Sequence, residues 1–137
     1  MTNTALAPQD VVRRYFEALA AGDQATILDS WAEDGSCWYG GELPISGTWK
    51  GRDAVIDGFL ATAFDHLDPA HEVGLRVTNL FGEGNQVFAE WDSWATGKTG
   101  RAYDQKNSAV FRIRDGRIVE MREYADTQHW AWALLER

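Results

Sequence analysis

Three carboxylates stand on strand-like stretches among apolar neighbours: Glu90 and Asp92 in Phe88-Ala89-Glu90-Trp91-Asp92-Ser93-Trp94, and Glu123 in Val119-Glu120-Met121-Arg122-Glu123. Period-two alternation puts Glu90 and Asp92 on the face of Phe88 and Trp94, and Glu123 on the face of Val119 and Met121. If both faces look inward, the acids share an apolar pocket with no arginine to pair them. Desolvation and like charge both raise a carboxyl pKa, and a carboxylate raised toward neutrality suits general acid–base work. The same acids could in principle hold a divalent cation, but no histidine partner or ligand motif accompanies them, so neither a metal nor a cofactor is expected.

Further groups join them. Tyr15, on the apolar stripe of the first helix, can donate its hydroxyl to a substrate oxygen, and Asn107 can orient a carboxylate or polarise a carbonyl. Trp38, Trp91, Trp94 and Trp130 offer aromatic wall for a flat or cyclic ligand. Ala109, Phe111 and Met121 share the inward face of the hairpin that carries Glu123, and complete the expected substrate lining with Glu90. The lone Cys37 reads as a small strand hydrophobe.

That hairpin, Asn107 to Asp126, turns at Arg114-Asp115-Gly116. A two-residue Asp-Gly loop sets Phe111 opposite Glu120; a three-residue loop sets Phe111 opposite Val119 and Asn107 opposite Glu123. The three-residue loop is expected, because it keeps one face mostly apolar. Lys106, Ser108, Val110, Arg112, Ile118, Glu120, Arg122 and Tyr124 then form the outer face, through which a two-fold homodimer is expected.

The rest of the chain must position these groups. Pro8 opens a helix with Val11, Val12, Tyr15, Phe16 and Leu19 at helical spacing, which Gly22 stops. Asp23 caps a short second helix with Ile27, Leu28 and Trp31, followed by a strand at Gly35 to Trp38 and a glycine-rich loop or irregular strand over a pocket mouth from Tyr39 to Trp49. Gly51-Arg52-Asp53 opens a third helix with Val55, Ile56, Phe59, Leu60, Ala63 and Phe64. Strands follow at Glu72 to Phe81 and Val87 to Thr96, then the long strand into the hairpin, then a closing helix capped by Thr127. The layout is α+β, with helices packed on one face of a curved antiparallel sheet.

A length of 137 residues suits one domain, and 45% hydrophobic with 25% charged residues is an ordinary globular composition. The net charge of −8 argues against nucleic acid and anionic membrane as partners. No stretch reads as a signal peptide or a membrane span, which makes the cytoplasm the expected location.

Four segments taken in order, Val11-Val12-Arg13-Arg14-Tyr15-Phe16-Glu17-Ala18-Leu19-Ala20-Ala21-Gly22-Asp23, Trp31-Ala32-Glu33-Asp34, Trp49-Lys50-Gly51-Arg52-Asp53-Ala54-Val55 and Phe111-Arg112-Ile113-Arg114-Asp115-Gly116-Arg117-Ile118-Val119-Glu120, resemble the nuclear transport factor 2-like superfamily, in its SnoaL-like and ketosteroid-isomerase-related branch. The resemblance covers nearly the whole chain and implies one domain over residues 1–137. It implies a cone-shaped sheet wrapped around three N-terminal helices, with an apolar internal pocket, a short C-terminal helix and frequent dimerisation through the sheet. Tyr15 matches the oxyanion tyrosine of ketosteroid isomerases, whose two acids fall near Trp38 or Tyr39 and on Ala109. Limonene epoxide hydrolase is similar in placing acids at Asp92 and Glu123, but Glu90 replaces its bridging arginine, and its tyrosine and asparagine fall near Trp38 and Gly40. SnoaL-type cyclases place their base at Glu123. The expectation is cofactor-independent acid–base chemistry of the isomerase, cyclase or dehydratase type on an apolar cyclic or aromatic small molecule. Glu123 is the base, Asp92 the partner acid, and Tyr15 and Asn107 stabilise charge on oxygen. Epoxide hydrolysis is the alternative, and so is a non-catalytic small-ligand-binding or accessory role.

Overall fold

The structure is a computed structural model and describes residues 6–135. Helix α1, Pro8–Ala21, begins with proline in its first turn and ends at Gly22, whose φ of 70° is the left-handed cap that glycine accepts without penalty. Helix α2, Gln24–Ser30, is capped by Asp23, which accepts the Thr26 N–H at 3.2 Å. It stops earlier than its apolar spacing suggests: Trp31 belongs to β1, Trp31–Tyr39, and is fully buried there. Strand β2, Gly47–Lys50, forms at the end of the stretch expected as loop or irregular strand and runs one residue past it.

The third helix has two parts, a π-helical segment Ala54–Leu60 that runs on as α3, Ala61–Asp65. Four long strands follow: β3, Gly74–Glu83; β4, Gln86–Thr96; β5, Ala102–Arg114; β6, Arg117–Ala125. Helix α4, Thr127–Leu134, closes the described chain, capped by Asp126 rather than Thr127. The strands form one six-stranded sheet in the order β2-β1-β6-β5-β4-β3. It is mixed rather than wholly antiparallel, because β1 pairs parallel to β6.

The hairpin follows neither expected register. Its turn is the two residues Asp115 and Gly116, both at positive φ (51° and 77°), with Arg114 opposite Arg117. A bulge at Val119 then inserts one extra residue into β6, so that Phe111 faces Met121 and Ala109 faces Glu123. Asn107 therefore stands opposite Ala125, not Glu123. The bulge restores the parity of the three-residue loop beyond Val119, so Phe111, Ala109, Met121 and Glu123 do share the inward face. Before the bulge the parity is reversed, and Ile118, expected outside, is buried opposite Ile113.

The core lies between α1 and the inner face of the sheet. Phe16 packs at 4.7 Å, ring to ring, on Trp91, and at 5.8 Å edge-on to Phe111. Tyr15 meets Trp31 edge-on at 5.8 Å and Phe111 at 6.3 Å. Aromatic pairs of this kind add to the burial of large apolar area. They fix α1 on the sheet with one side of Tyr15 toward a cavity.

Candidate active site

Glu123 reaches this cavity because β6 carries it, two residues after Met121, onto the inner face. Its neighbours in the sheet are Tyr39 on β1 and Ala109 on β5. The cavity measures about 150 Å³, and its lining is mostly apolar: Phe16, Leu19, Phe59, Leu60, Trp91, Met121 and Trp130 contribute to it.

Glu123 is half-buried and lines the cavity. Among the described residues no cation and no hydrogen-bond donor meets the carboxyl. Burial alone raises it, from the ordinary glutamate range to about 8. Among the described residues no lysine, arginine or histidine lines the cavity.

Three phenols line the same space, Tyr15, Tyr39 and Tyr103. Burial first, and the charge of Glu123 after it, hold all three above the ordinary phenol range. They therefore stay protonated at neutral pH, each with an O–H to donate. The buried Trp31 indole N–H lies beside the Tyr15 hydroxyl and favours its charged form, but stops short of hydrogen-bond geometry. Tyr103 is backed from outside by His129, whose ring stacks on it at 5.6 Å and whose Nε2 accepts the Asp104 N–H at 3.0 Å. Tyr39 and Tyr103 are absent from the groups expected on sequence grounds. Alternation along β1 (Cys37, Tyr39) and β5 (Tyr103, Gln105, Asn107) is the signal that finds them.

The other expected groups divide. Tyr15, Met121, Asn107 and Trp94 line the cavity with Glu123. Asn107 does not polarise a carbonyl there, because its Nδ2 donates both to the Trp91 carbonyl at 3.3 Å and to Ser93 Oγ at 3.0 Å. Ala109 and Phe111 are fully buried beneath the lining. Asp92 lies on the opposite face of β4 from Trp91, where Lys106 at 3.1 Å and Arg76 at 3.3 Å hold its carboxyl below the usual range, Lys106 foremost. Glu90 is exposed on that outer face and accepts from Asn79 Nδ2 at 3.2 Å. Trp38 also faces outward, packed edge-on at 5.3 Å against Tyr124. Asp92 is thus not assembled with Glu123, and a two-acid site on these residues does not form. Among the described residues no His, Cys, Asp and Glu cluster could hold a metal ion, and no helix is long and apolar enough to cross a membrane.

The chain is 31% identical over 118 residues to the uncharacterized protein Rv0034 of Mycobacterium tuberculosis, covering 85% of this chain and 88% of that one. In fold it is similar to an NTF2-like protein of unknown function from Burkholderia pseudomallei, with a TM-score of 0.81 at 23% identity over 96% of this chain and 100% of the other. It is also similar to a protein designated a SnoaL-like polyketide cyclase from Jannaschia sp. CCS1, with a TM-score of 0.78 at 16% identity over 98% and 99% of the two chains. The cone of helices and bent sheet is thus the nuclear transport factor 2-like fold. The SnoaL-like domain model matches residues 12–121, from the first buried turn of α1 to Met121 at the cavity wall, and the chain belongs to the SnoaL-like domain family.

Proposed function

We propose that the protein is a cofactor-independent acid–base enzyme of the isomerase or cyclase type, acting on an uncharged cyclic or aromatic small molecule. An unpaired glutamate in an apolar cavity, with its pKa raised to about 8, supports this most strongly. The family membership and the likeness to a protein designated a polyketide cyclase support it as well.

The substrate seats a ring in the cavity, with a carbonyl directed at the phenols and the neighbouring C–H directed at Glu123. The ionised carboxylate takes the proton from carbon, and the electron pair moves to the carbonyl oxygen, giving an enolate. Tyr15 donates a hydrogen bond to that oxygen, with Tyr39 and Tyr103 as further donors in the same wall. The neutral Glu123 then returns the proton to a different carbon of the substrate, or the enolate carbon adds to a second carbonyl of the same molecule, closing a ring as that C=O π bond opens, and Glu123 gives its proton to the alkoxide formed. A base with pKa near the working pH balances the ionised fraction against basicity.

Deuterium incorporation from D2O into a panel of neutral cyclic ketones, followed by NMR, tests this even while the natural substrate is unidentified. The wild type is expected to catalyse exchange next to the carbonyl, with a rate that rises with pH and levels off near the Glu123 pKa of about 8. Glu123→Gln is expected to lower it by about 10²–10⁴-fold. Exchange at the wild-type rate in Glu123→Gln would remove the glutamate from the mechanism. Ligand binding without exchange by the wild type would make the protein a binder.

A further inference from the structure

We propose that His129, which lies outside the cavity, is a positioning residue: its imidazole holds the Tyr103 ring in place, so that the phenol meets the substrate oxygen as a fixed donor. The proposal deepens the acid–base reading and rests on it for the role of Tyr103.

The three phenols of the cavity are not held alike. Tyr15 and Tyr39 are each 2% exposed, and close packing fixes their rings. Tyr103 is only half-buried, and it lines both the cavity and an outer groove beside Trp94, Ala95 and Asp104. A ring open on one side lacks packing there, so its place depends on what lies against its face.

The sheet explains why a helix supplies that support. Strand β6 ends at Ala125, opposite Asn107, whereas β5 begins at Ala102, so residues 102–106 of β5 have no strand beside them on the β6 side. Backbone N–H groups on that edge need acceptors from elsewhere. The start of α4 is laid along it. Gln105 Nε2 donates to the Asp126 carbonyl at 2.9 Å, and the Asp126 N–H donates to Gln105 Oε1 at 3.2 Å. Asp126 in turn caps the helix by accepting the His129 N–H at 3.0 Å. His129 is thereby seated on the same edge, where its Nε2 accepts the N–H of Asp104, the residue after Tyr103. Nε2 therefore carries the lone pair and Nδ1 the proton.

The imidazole anchored in this way lies almost parallel to the phenol, with 14° between the planes. It is also stacked on Trp132, three residues further along α4, at 5.8 Å and 29°, and the Arg101 guanidinium lies over that indole at 4.9 Å. One side chain thus supports both the backbone beside Tyr103 and the face of its ring. A helix cap or an edge acceptor would need only the first contact. A donor to a developing oxyanion works by being in place beforehand, and a misplacement of about 1 Å costs up to about 10²-fold.

His129→Gln separates the two contacts, because its amide oxygen can accept the Asp104 N–H but no ring remains to stack. Carbon-13 relaxation of labelled tyrosine rings, in the protein without substrate, is the first readout. Tyr103 is expected to become mobile in His129→Gln while Tyr15 and Tyr39 stay rigid, with an unfolding midpoint close to wild type. His129→Phe, which keeps a ring, is expected to restore the rigidity. Deuterium exchange into cyclohexanone is the second readout. His129→Gln is expected to slow it by about tenfold, in kcat rather than KM, and Tyr103→Phe by at least as much. The double variant is expected to be no slower than Tyr103→Phe alone, because residues that act through one contact are not additive, whereas a merely structural histidine would add its own effect. The proposal is overturned if Tyr103 stays rigid in His129→Gln, if that variant exchanges at the rate of an active wild type, or if the two effects multiply. It is equally overturned if His129→Gln unfolds the protein, since the histidine would then be structural. If the wild type exchanges no deuterium, the acid–base reading fails, and the tyrosine relaxation alone decides whether His129 holds Tyr103.

Discussion

Replacing Glu123 with glutamine is expected to stabilise the protein, and by an amount that depends on pH. The carboxyl is raised from 4.5 to about 8 on folding. Between those values the folded chain holds a proton that the unfolded chain has released. Stability from this group is therefore lost as pH climbs through that window and is flat on either side of it. At about pH 7 the wild type lies roughly two and a half units above the unperturbed value, and each unit is worth about 1.4 kcal/mol, which gives about 3 kcal/mol. Water entering the cavity screens the charge, because Glu123 keeps part of its surface open to that space, and lowers the figure toward about 1 kcal/mol. Glutamine keeps the shape and does not titrate. For a chain of 137 residues the gain corresponds to a rise in Tm of roughly 3–10 °C at about pH 7. The assay is thermal unfolding by circular dichroism, for both proteins, at a series of pH values from about 4 to 9. The two curves should meet at the acid end and part steadily toward pH 8. A difference between them that does not vary with pH would refute the desolvated carboxyl.

Two other perturbations probe the hairpin and the buried thiol. Gly116→Ala is expected to cost about 1 kcal/mol, because Gly116 sits at φ 77° in the two-residue turn; a chemical denaturation midpoint equal to wild type would contradict that geometry. Cys37 is buried, and burial, with the Glu123 charge behind it, pushes its thiol up to about 12. Iodoacetamide at mildly alkaline pH should leave the folded protein unlabelled and modify it only after denaturation, while rapid labelling of the native chain would contradict its placement.

Much of the fold is legible in the residues, and the exceptions have physical causes. Alternation alone puts Glu123 on the inner face because the Val119 bulge changes register by an even step relative to the expected loop, leaving the face unchanged beyond it. The bulge itself, and with it the loss of the Asn107–Glu123 pairing, has no mark in the sequence. On β4 alternation separates two sets correctly, but both carry large apolar groups: Val87, Ala89 and Trp91 against Phe88 and Trp94. Hydrophobicity alone does not say which set is inside, and the expectation for Asp92 falls on the wrong side of the sheet. Tyr39 is obscured by the glycines that follow it, and its neighbour Glu123 lies across a parallel pairing between β1 and β6. Such a contact is remote in sequence and leaves no local signal. The helix boundaries at Gly22 and Asp23, by contrast, depend on chemistry within a few residues and are directly readable.

The most direct measurement is a carbon-detected NMR titration of the Glu123 side-chain carboxyl in the folded protein, assigned by comparison with Glu123→Gln. A carboxyl desolvated in an apolar cavity without a cation should show its inflection near pH 8. An inflection near the ordinary glutamate value of about 4.3 would mean that Glu123 is solvated, and would contradict its assignment as a base poised near neutrality.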